Sequence, residues 1–254
     1  IYGYYEIMYI YCQRSDVMKK LLAVMMAASV LIMAFPQTIY AEYVDKGIHQ
    51  AYLFGYPDGT IRPEEYMTRE EATSVLYSIF KDSLYTDKSS ISAFDDVDIE
   101  RWSSEAVNCL YANGIISGNG TSFRPEDKIT RAEMASMIYR LSDSRFGAKK
   151  FNDIEGHWAQ KFIEYVSAEG WIAGYSDGSF RPDEKITRAE AAFLINSVLE
   201  RQPENEDALL PDMKVWKDNT DKTKWYYFAI QEASNSHEYA LKDNGQEIWN
   251  LVID

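Results

Sequence analysis

The chain has 254 residues, 46% of them hydrophobic, which suffices for one large core or two small ones. Its 40 acidic residues outnumber the 26 basic ones, and the resulting charge of −14 argues against nucleic acid and anionic lipid as partners. Of the two cysteines, Cys12 lies upstream of an export-leader pattern, so only Cys109 is expected in the mature protein, as a small core residue without a disulfide.

In chain order, residues 1–17 are expected to be an upstream or non-native segment, because a leader pattern begins at Met18. Lys19 and Lys20 precede an uncharged fifteen-residue run, Leu21 to Phe35, and Ile39-Tyr40-Ala41 closes the pattern. Residues 18–41 therefore read as a secretory signal cleaved after Ala41. The run is shorter than the ~20 residues that span a bilayer, so no membrane association is expected after cleavage. Removal of residues 1–41 takes Arg14, Lys19, Lys20, Glu6 and Asp16, leaving 23 basic and 38 acidic residues.

The rest is organised by a repeat. Residues 94–142 and 151–201 are whole units: Phe94-Asp95-Asp96 matches Phe151-Asn152-Asp153, and Trp102 or Trp158 is followed after twelve residues by Gly114 or Gly170, then by Gly118 or Gly174. Residues 42–82 match only the second half of the unit, from Gly55 onward. The missing first half is found at 211–254, where Trp216-Lys217-Asp218 precedes Trp225. The two chain ends are thus expected to complete one circularly split unit, three in all. His237 stands where the whole repeats have the first Gly, and Asn235 to Tyr239 echoes Ile48 to Tyr52.

Each unit reads as helix–loop–helix. Trp158, Phe162, Ile163 and Val166 share one helical face, as do their counterparts from Trp102 and Trp225. Turn sequences such as Pro57-Asp58-Gly59 and Ser176-Asp177-Gly178 follow, then Arg-Pro; the second unit has Asn119-Gly120 and is one residue shorter. Thr68, Thr130 and Thr187, each followed three residues later by Glu, predict capping boxes that open the second helices. The expected fold is mainly α, a pseudo-threefold, three-pronged arrangement around a central three-helix bundle.

These residues resemble the S-layer homology module of bacterial surface proteins, whose pattern joins Phe-x-Asp, Trp-Ala, Gly-Tyr-x-Asp-Gly-x-Phe-x-Pro and Ile-Thr-Arg-Ala-Glu. The resemblance implies the three-pronged spindle, ligand grooves between neighbouring repeats, and noncovalent attachment at the cell wall to a peptidoglycan-linked secondary polysaccharide, often carrying pyruvylated N-acetylmannosamine. It nominates Arg69, Arg131 and Arg188 as glycan-binding residues, with Thr68, Thr130, Thr187, Gly55, Gly118, Gly174, Trp102, Trp158 and Trp225 around them. Two departures, Glu70 in place of Ala and the absence of Tyr-x-Asp from the second unit, point to uneven grooves.

An arginine at the first position of a helix sits against the positive end of the dipole, at a cost of up to ~1 kcal/mol. With the free helix amides it would make a carboxylate site, which a pyruvyl ketal could occupy. The alternative is that each Arg ties neighbouring carboxylates structurally. The threonines and their glutamates read first as caps, and the tryptophans as packing anchors with sugar stacking as the alternative.

Neither catalysis nor a cofactor or metal is expected. His49 and His237 read as a structural pair meeting at the split unit, with a metal pair as the alternative, and no HExxH or CxxC motif accompanies them. The competing function is a surface-layer or adhesion protein that uses the repeats for protein contacts; a chain ending soon after the last half-repeat is expected of a stand-alone wall binder. The sequence leaves the oligomeric state open.

Overall fold

The computed structural model describes residues 46–85, 92–142, 149–201, 203, 205–242 and 245–253. The expected leader, its cleavage point and residues 1–17 lie outside them. Among the described residues there are six α-helices and a three-stranded sheet, so the protein is mainly α. No described helix is long and apolar enough to cross a membrane.

The order is β1 (Lys46–His49), α1 (Arg69–Phe80), α2 (Ser104–Ala112), α3 (Arg131–Leu141), α4 (Gln160–Ala168), α5 (Arg188–Val198), α6 (Tyr227–Ser234), β2 (Ser236–Leu241) and β3 (Glu247–Ile253), with short 3-10 turns at Lys81–Ser83 and Glu206–Ala208. The odd-numbered helices open on capping boxes. Thr68, Thr130 and Thr187 accept from the amides of Glu71, Glu133 and Glu190, whose carboxylates accept from the threonine amides in return.

Around these helix starts the backbone closes a ring. The Met67 amide donates to Ile186, the Ile186 amide to Ile129, and the Ile129 amide to Met67, at 3.0 to 3.1 Å. All three side chains are fully buried, so the ring sits in the core and defines the pseudo-threefold axis. The helices then pair between units rather than within them: α1 on α2, α3 on α4, and α5 on α6. Their apolar stripes meet there, with Val107 and Leu110, Ile163 and Val166, and Ile230 and Ala233 buried.

The loops of all three units are held by one device. Asp96 accepts from the amides of Phe123 and Arg124, Asp153 from Phe180 and Arg181, and Asp218 from Ile61 and Arg62, at 2.7 to 2.9 Å. This clamp holds Arg62, Arg124 and Arg181 at φ of 53 to 60°, a left-handed conformation that a side chain ordinarily disfavours. Phe94, Phe151 and Trp216 pack on Gly118, Gly174 and Gly55, where a Cβ would come within 2.4 Å of an aromatic carbon. Trp216 and Asp218, from the far end of the chain, therefore make the contacts on residues 55–62 that Phe94 and Asp96 make within the second unit.

Between the termini the sheet replaces a continuous backbone. In the whole units the helix ends at Gly114 or Gly170, both left-handed, and the Leu110 or Val166 carbonyl accepts from Ile115 or Trp171. At the corresponding place the Ala233 carbonyl of α6 accepts from the amides of Tyr52 and Leu53, each at 2.9 Å. The C-terminus of α6 is thus capped by the other end of the chain. β1 then pairs antiparallel with β2, His49 opposite His237, and β3 pairs antiparallel with the other edge of β2.

Candidate functional site

The nominated arginines emerge from the first turn of α1, α3 and α5, all buried. Each reaches into the next unit. Arg69 donates from Nε to the Phe123 carbonyl (2.9 Å), from Nη2 to Ser117 (3.1 Å) and from Nη1 to Glu133 (2.7 Å). Arg131 donates to the carbonyls of Phe180 (3.0 Å) and Ala173 (2.8 Å), with Glu190 at 3.8 Å. Arg188 crosses to the chain's beginning, donating to the carbonyls of Ile61 (2.9 Å) and Phe54 (2.8 Å), with Glu71 at 3.5 Å. Every join between units is fastened by one such arginine, chiefly through backbone carbonyls, where the structural alternative had expected carboxylates. Burial pulls the Arg69 pKa below its ordinary value despite Glu133 beside it.

The free helix amides expected beside these arginines are a point of correction. The amides of Arg69 and Glu70 donate to Asp127 and Pro125, those of Arg131 and Ala132 to Glu184 and Pro182, and those of Arg188 and Ala189 to Glu65 and Pro63. Carbonyls of the neighbouring loop neutralise the helix end, and the third amide goes to the cap threonine. An anion at these joins is left to the guanidinium groups.

The packing reading of the tryptophans is also corrected. Trp102, Trp158 and Trp225 are 64, 57 and 59% exposed. The helices begin two residues after each of them, so the indole is out of phase with the buried stripe that its spacing matched. Two tryptophans line clefts. One cleft, of about 310 Å³, is lined by Arg69, Ser117, Gly118, Glu133, Ser136, Arg140 and Trp158. The other, of about 330 Å³, is lined by Tyr52, Phe54, Tyr56, Ser74, Arg188 and Trp102. Both are at the small end of the range for ligand sites.

The clefts differ in chemistry. Arg69, Arg124 and Arg140 converge on the first, opposed by Glu133. Arg140 donates to the Ile115 carbonyl (3.0 Å), and its guanidinium carbon stands 5.4 Å from the Phe162 ring centre. Sequence reasoning missed Arg140; its signal is a cation where the other units carry Ser78 and Ser197. The second cleft is more aromatic. There Arg62 stacks on Tyr56 at 3.8 Å, as Arg181 does on Tyr175 in the third unit. The second unit has neither tyrosine nor aspartate at those loop positions, and Arg124 pairs with Asp127 and Glu133 instead.

At the third join Arg131 and Trp225 are in place, but Phe193 occupies the position of Ser74 and Ser136. Its ring meets Trp225 edge to face with centres 6.0 Å apart. A phenyl ring thus stands where the other two joins have a hydroxymethyl.

Thr68, Thr130 and Thr187 are placed as caps. Gly118 lines the first cleft, while Gly55 and Gly174 serve close ring packing. Glu70 is buried and gripped by both arms of Arg101 at 2.8 Å and by the Ser103 hydroxyl at 2.6 Å. Burial would raise its pKa, yet these bonds lower it. The departure at Glu70 is therefore an internal tie to the turn that leads into α2.

Three units closing a ring, each fastened to the next by a buried arginine, define a repeat-built module whose joins are its clefts. The chain belongs to the S-layer homology domain family, whose model matches residues 37–73, 93–135 and 150–192. Over 219 residues it is 36% identical to the cellulosome-anchoring protein of Acetivibrio thermocellus, covering 82% of this chain and 47% of that one. It is 34% identical over 224 residues to cell surface glycoprotein 1 of the same organism, covering 82% of this chain and 9% of that one. It is 34% identical over 173 residues to an S-layer protein of Bacillus licheniformis, covering 65% and 19%. The chain thus spans less than half the length of these curated relatives.

Proposed function

We propose that the protein is exported and attaches noncovalently to the cell wall by holding an anionic, peptidoglycan-linked secondary polysaccharide in the clefts lined by Trp158 and Trp102. One observation carries this reading: in a chain of net charge −14, an exposed tryptophan and a buried arginine line the same cleft twice, Trp158 with Arg69 and Trp102 with Arg188. A sugar ring stacks on the indole while a carboxylate, such as a pyruvyl ketal, meets the guanidinium edge. Arg69, Arg124 and Arg140 make the first cleft the stronger anion site. Arg188 with Tyr56 and Phe54 makes the second one more aromatic. Arg131 acts as a tie, because Phe193 narrows its join. The threonine caps and the glycines serve the ligand by shaping the walls.

The anchoring role named for the Acetivibrio thermocellus relative agrees with this reading. On the same reading residues 18–41 are the export leader, and 211–254 complete the unit begun at 42–82.

The test is sedimentation with purified wall sacculi before and after chemical removal of the secondary polymer. Wild type is expected to bind only the untreated wall. The Trp102→Ala, Trp158→Ala variant should bind at least about tenfold more weakly, while surface changes of this kind leave stability within about 0.5 kcal/mol. Equal wild-type binding after polymer removal would refute the polysaccharide reading and point to peptidoglycan or a protein partner.

A further inference from the structure

We propose that His49, Glu232, His237 and Glu247 bind a zinc ion that fastens the two ends of the chain together. All four residues are buried, and one donor atom from each lies within 4.8 Å of the other three. They come from both sides of the split: His49 from β1, Glu232 from α6, His237 from β2 and Glu247 from β3. Pairing of β1 with β2 sets His49 directly opposite His237. Glu232 occupies a position that the whole units fill with Cys109 and Tyr165, both buried, so a carboxylate has been put where the fold elsewhere has core.

The imidazole-to-carboxylate spacings are close to those of ligands around one ion, which would draw the four donors together from within 4.8 Å. His49 Nδ1 is 3.1 Å from Glu232 Oε1 and 3.3 Å from Glu247 Oε1, and His237 Nε2 is 3.0 Å from Glu247 Oε1 and 3.4 Å from Glu232 Oε2. Adjacent ligands on a tetrahedron with bonds of ~2.0–2.1 Å stand ~3.3–3.4 Å apart. Each ring nitrogen is thus shared between two carboxylates, which suits a common ion better than a single N–H.

The surroundings orient the ligands. His237 Nδ1 is 2.9 Å from the Asn235 carbonyl, which can only accept, so this nitrogen carries the hydrogen and Nε2 faces the cluster. Trp249 stacks on His237 with ring centres 3.9 Å apart and donates from Nε1 to Glu232 Oε2 at 3.1 Å. Tyr239 stacks on His49, also at 3.9 Å. Glu247 Oε2 is buried with no hydrogen-bond partner among the described residues, an omission that a bound cation explains. Zinc ligation would take both imidazoles in the neutral form and both carboxylates ionised, so that the ion's charge is matched by its ligands. Two nitrogens and two carboxylates suit zinc; calcium and magnesium require six or more oxygens. With four protein ligands the site is closed, hence structural.

The experiment uses untagged protein, stripped with chelator and dialysed, to which Zn²⁺, Ca²⁺ or Mg²⁺ is added alone. One Zn²⁺ per chain should survive dialysis, and at about 100 times Kd it should raise the melting temperature by roughly 5–10 °C, while Ca²⁺ and Mg²⁺ do neither. Co²⁺ in its place should give the intense visible absorption of a four-coordinate ion. His49→Ala, near the surface, and Glu247→Gln should each weaken Zn²⁺ binding at least tenfold. If the stripped protein is folded and takes up no Zn²⁺, the proposal falls and the cluster is a proton-linked network. Binding unchanged in both variants, or a weak six-coordinate cobalt spectrum, would also overturn it. None of these readouts involves the wall polymer, so the outcome is independent of the anchoring reading.

Discussion

Replacing Arg131 with methionine separates the two roles that an arginine at these joins can have. Methionine keeps the apolar stem and much of its packing while removing the guanidinium. The variant loses the bonds to the Phe180 and Ala173 carbonyls at 3.0 and 2.8 Å, while Glu190 at 3.8 Å contributes little. A hydrogen bond from a charged donor is worth about 1.5 kcal/mol or more, so the loss is about 3 kcal/mol. For a protein of this size that corresponds to a fall in melting temperature of roughly 6–12 °C. Urea unfolding should show a lower midpoint with an unchanged slope, because the surface exposed on unfolding is the same. On the proposed reading, in which Phe193 narrows this join, the variant below its melting point should bind wall sacculi like wild type. An unchanged midpoint would refute the tie, and loss of wall binding by folded protein would refute the closed third cleft.

Phe193→Ser should open that cleft and raise the stoichiometry for a soluble wall-polymer fragment from two to three per chain in calorimetric titration. Asp96→Asn tests the loop clamp through pH. Burial would raise the Asp96 carboxyl, but bonds from the Ser122 hydroxyl and the Phe123 and Arg124 amides bring it below its ordinary value of 3.8. A depressed folded-state pKa stabilises above the unfolded value and loses that contribution as pH falls through the folded one. Wild type should therefore lose stability faster than the variant below about pH 4, and parallel acid limbs would contradict the clamp.

Features set by short-range chemistry were readable in the sequence. Thr followed by Glu three residues on specified all three helix starts, and the apolar stripes after Trp102, Trp158 and Trp225 are buried from Ala106, Phe162 and Ala229 onward. What misled was phase and distance. The tryptophans share the spacing of the stripe but precede the helix, and spacing cannot reveal that. The helix amides looked free because their acceptors, such as Asp127 for Arg69 and Glu65 for Arg188, belong to another unit far along the chain. The echo between Ile48–Tyr52 and Asn235–Tyr239 was visible as similarity, whereas the strands pair antiparallel through His49 and His237. The narrowing by Phe193 appears only when it is superposed on Ser74 and Ser136, a comparison that requires knowing which face of the helix looks into the join.

The hydrogen-bond ring of Met67, Ile129 and Ile186 has every link pointing the same way round. Such a cycle closes on one copy number. Loss of a unit leaves a buried amide on one side and a buried carbonyl on the other with nothing to meet, and a fourth unit would open the axis to water. Unequal recombination among such similar repeats would therefore leave unpaired backbone groups at the axis, a cost that favours the number three before any demand for avidity acts on it.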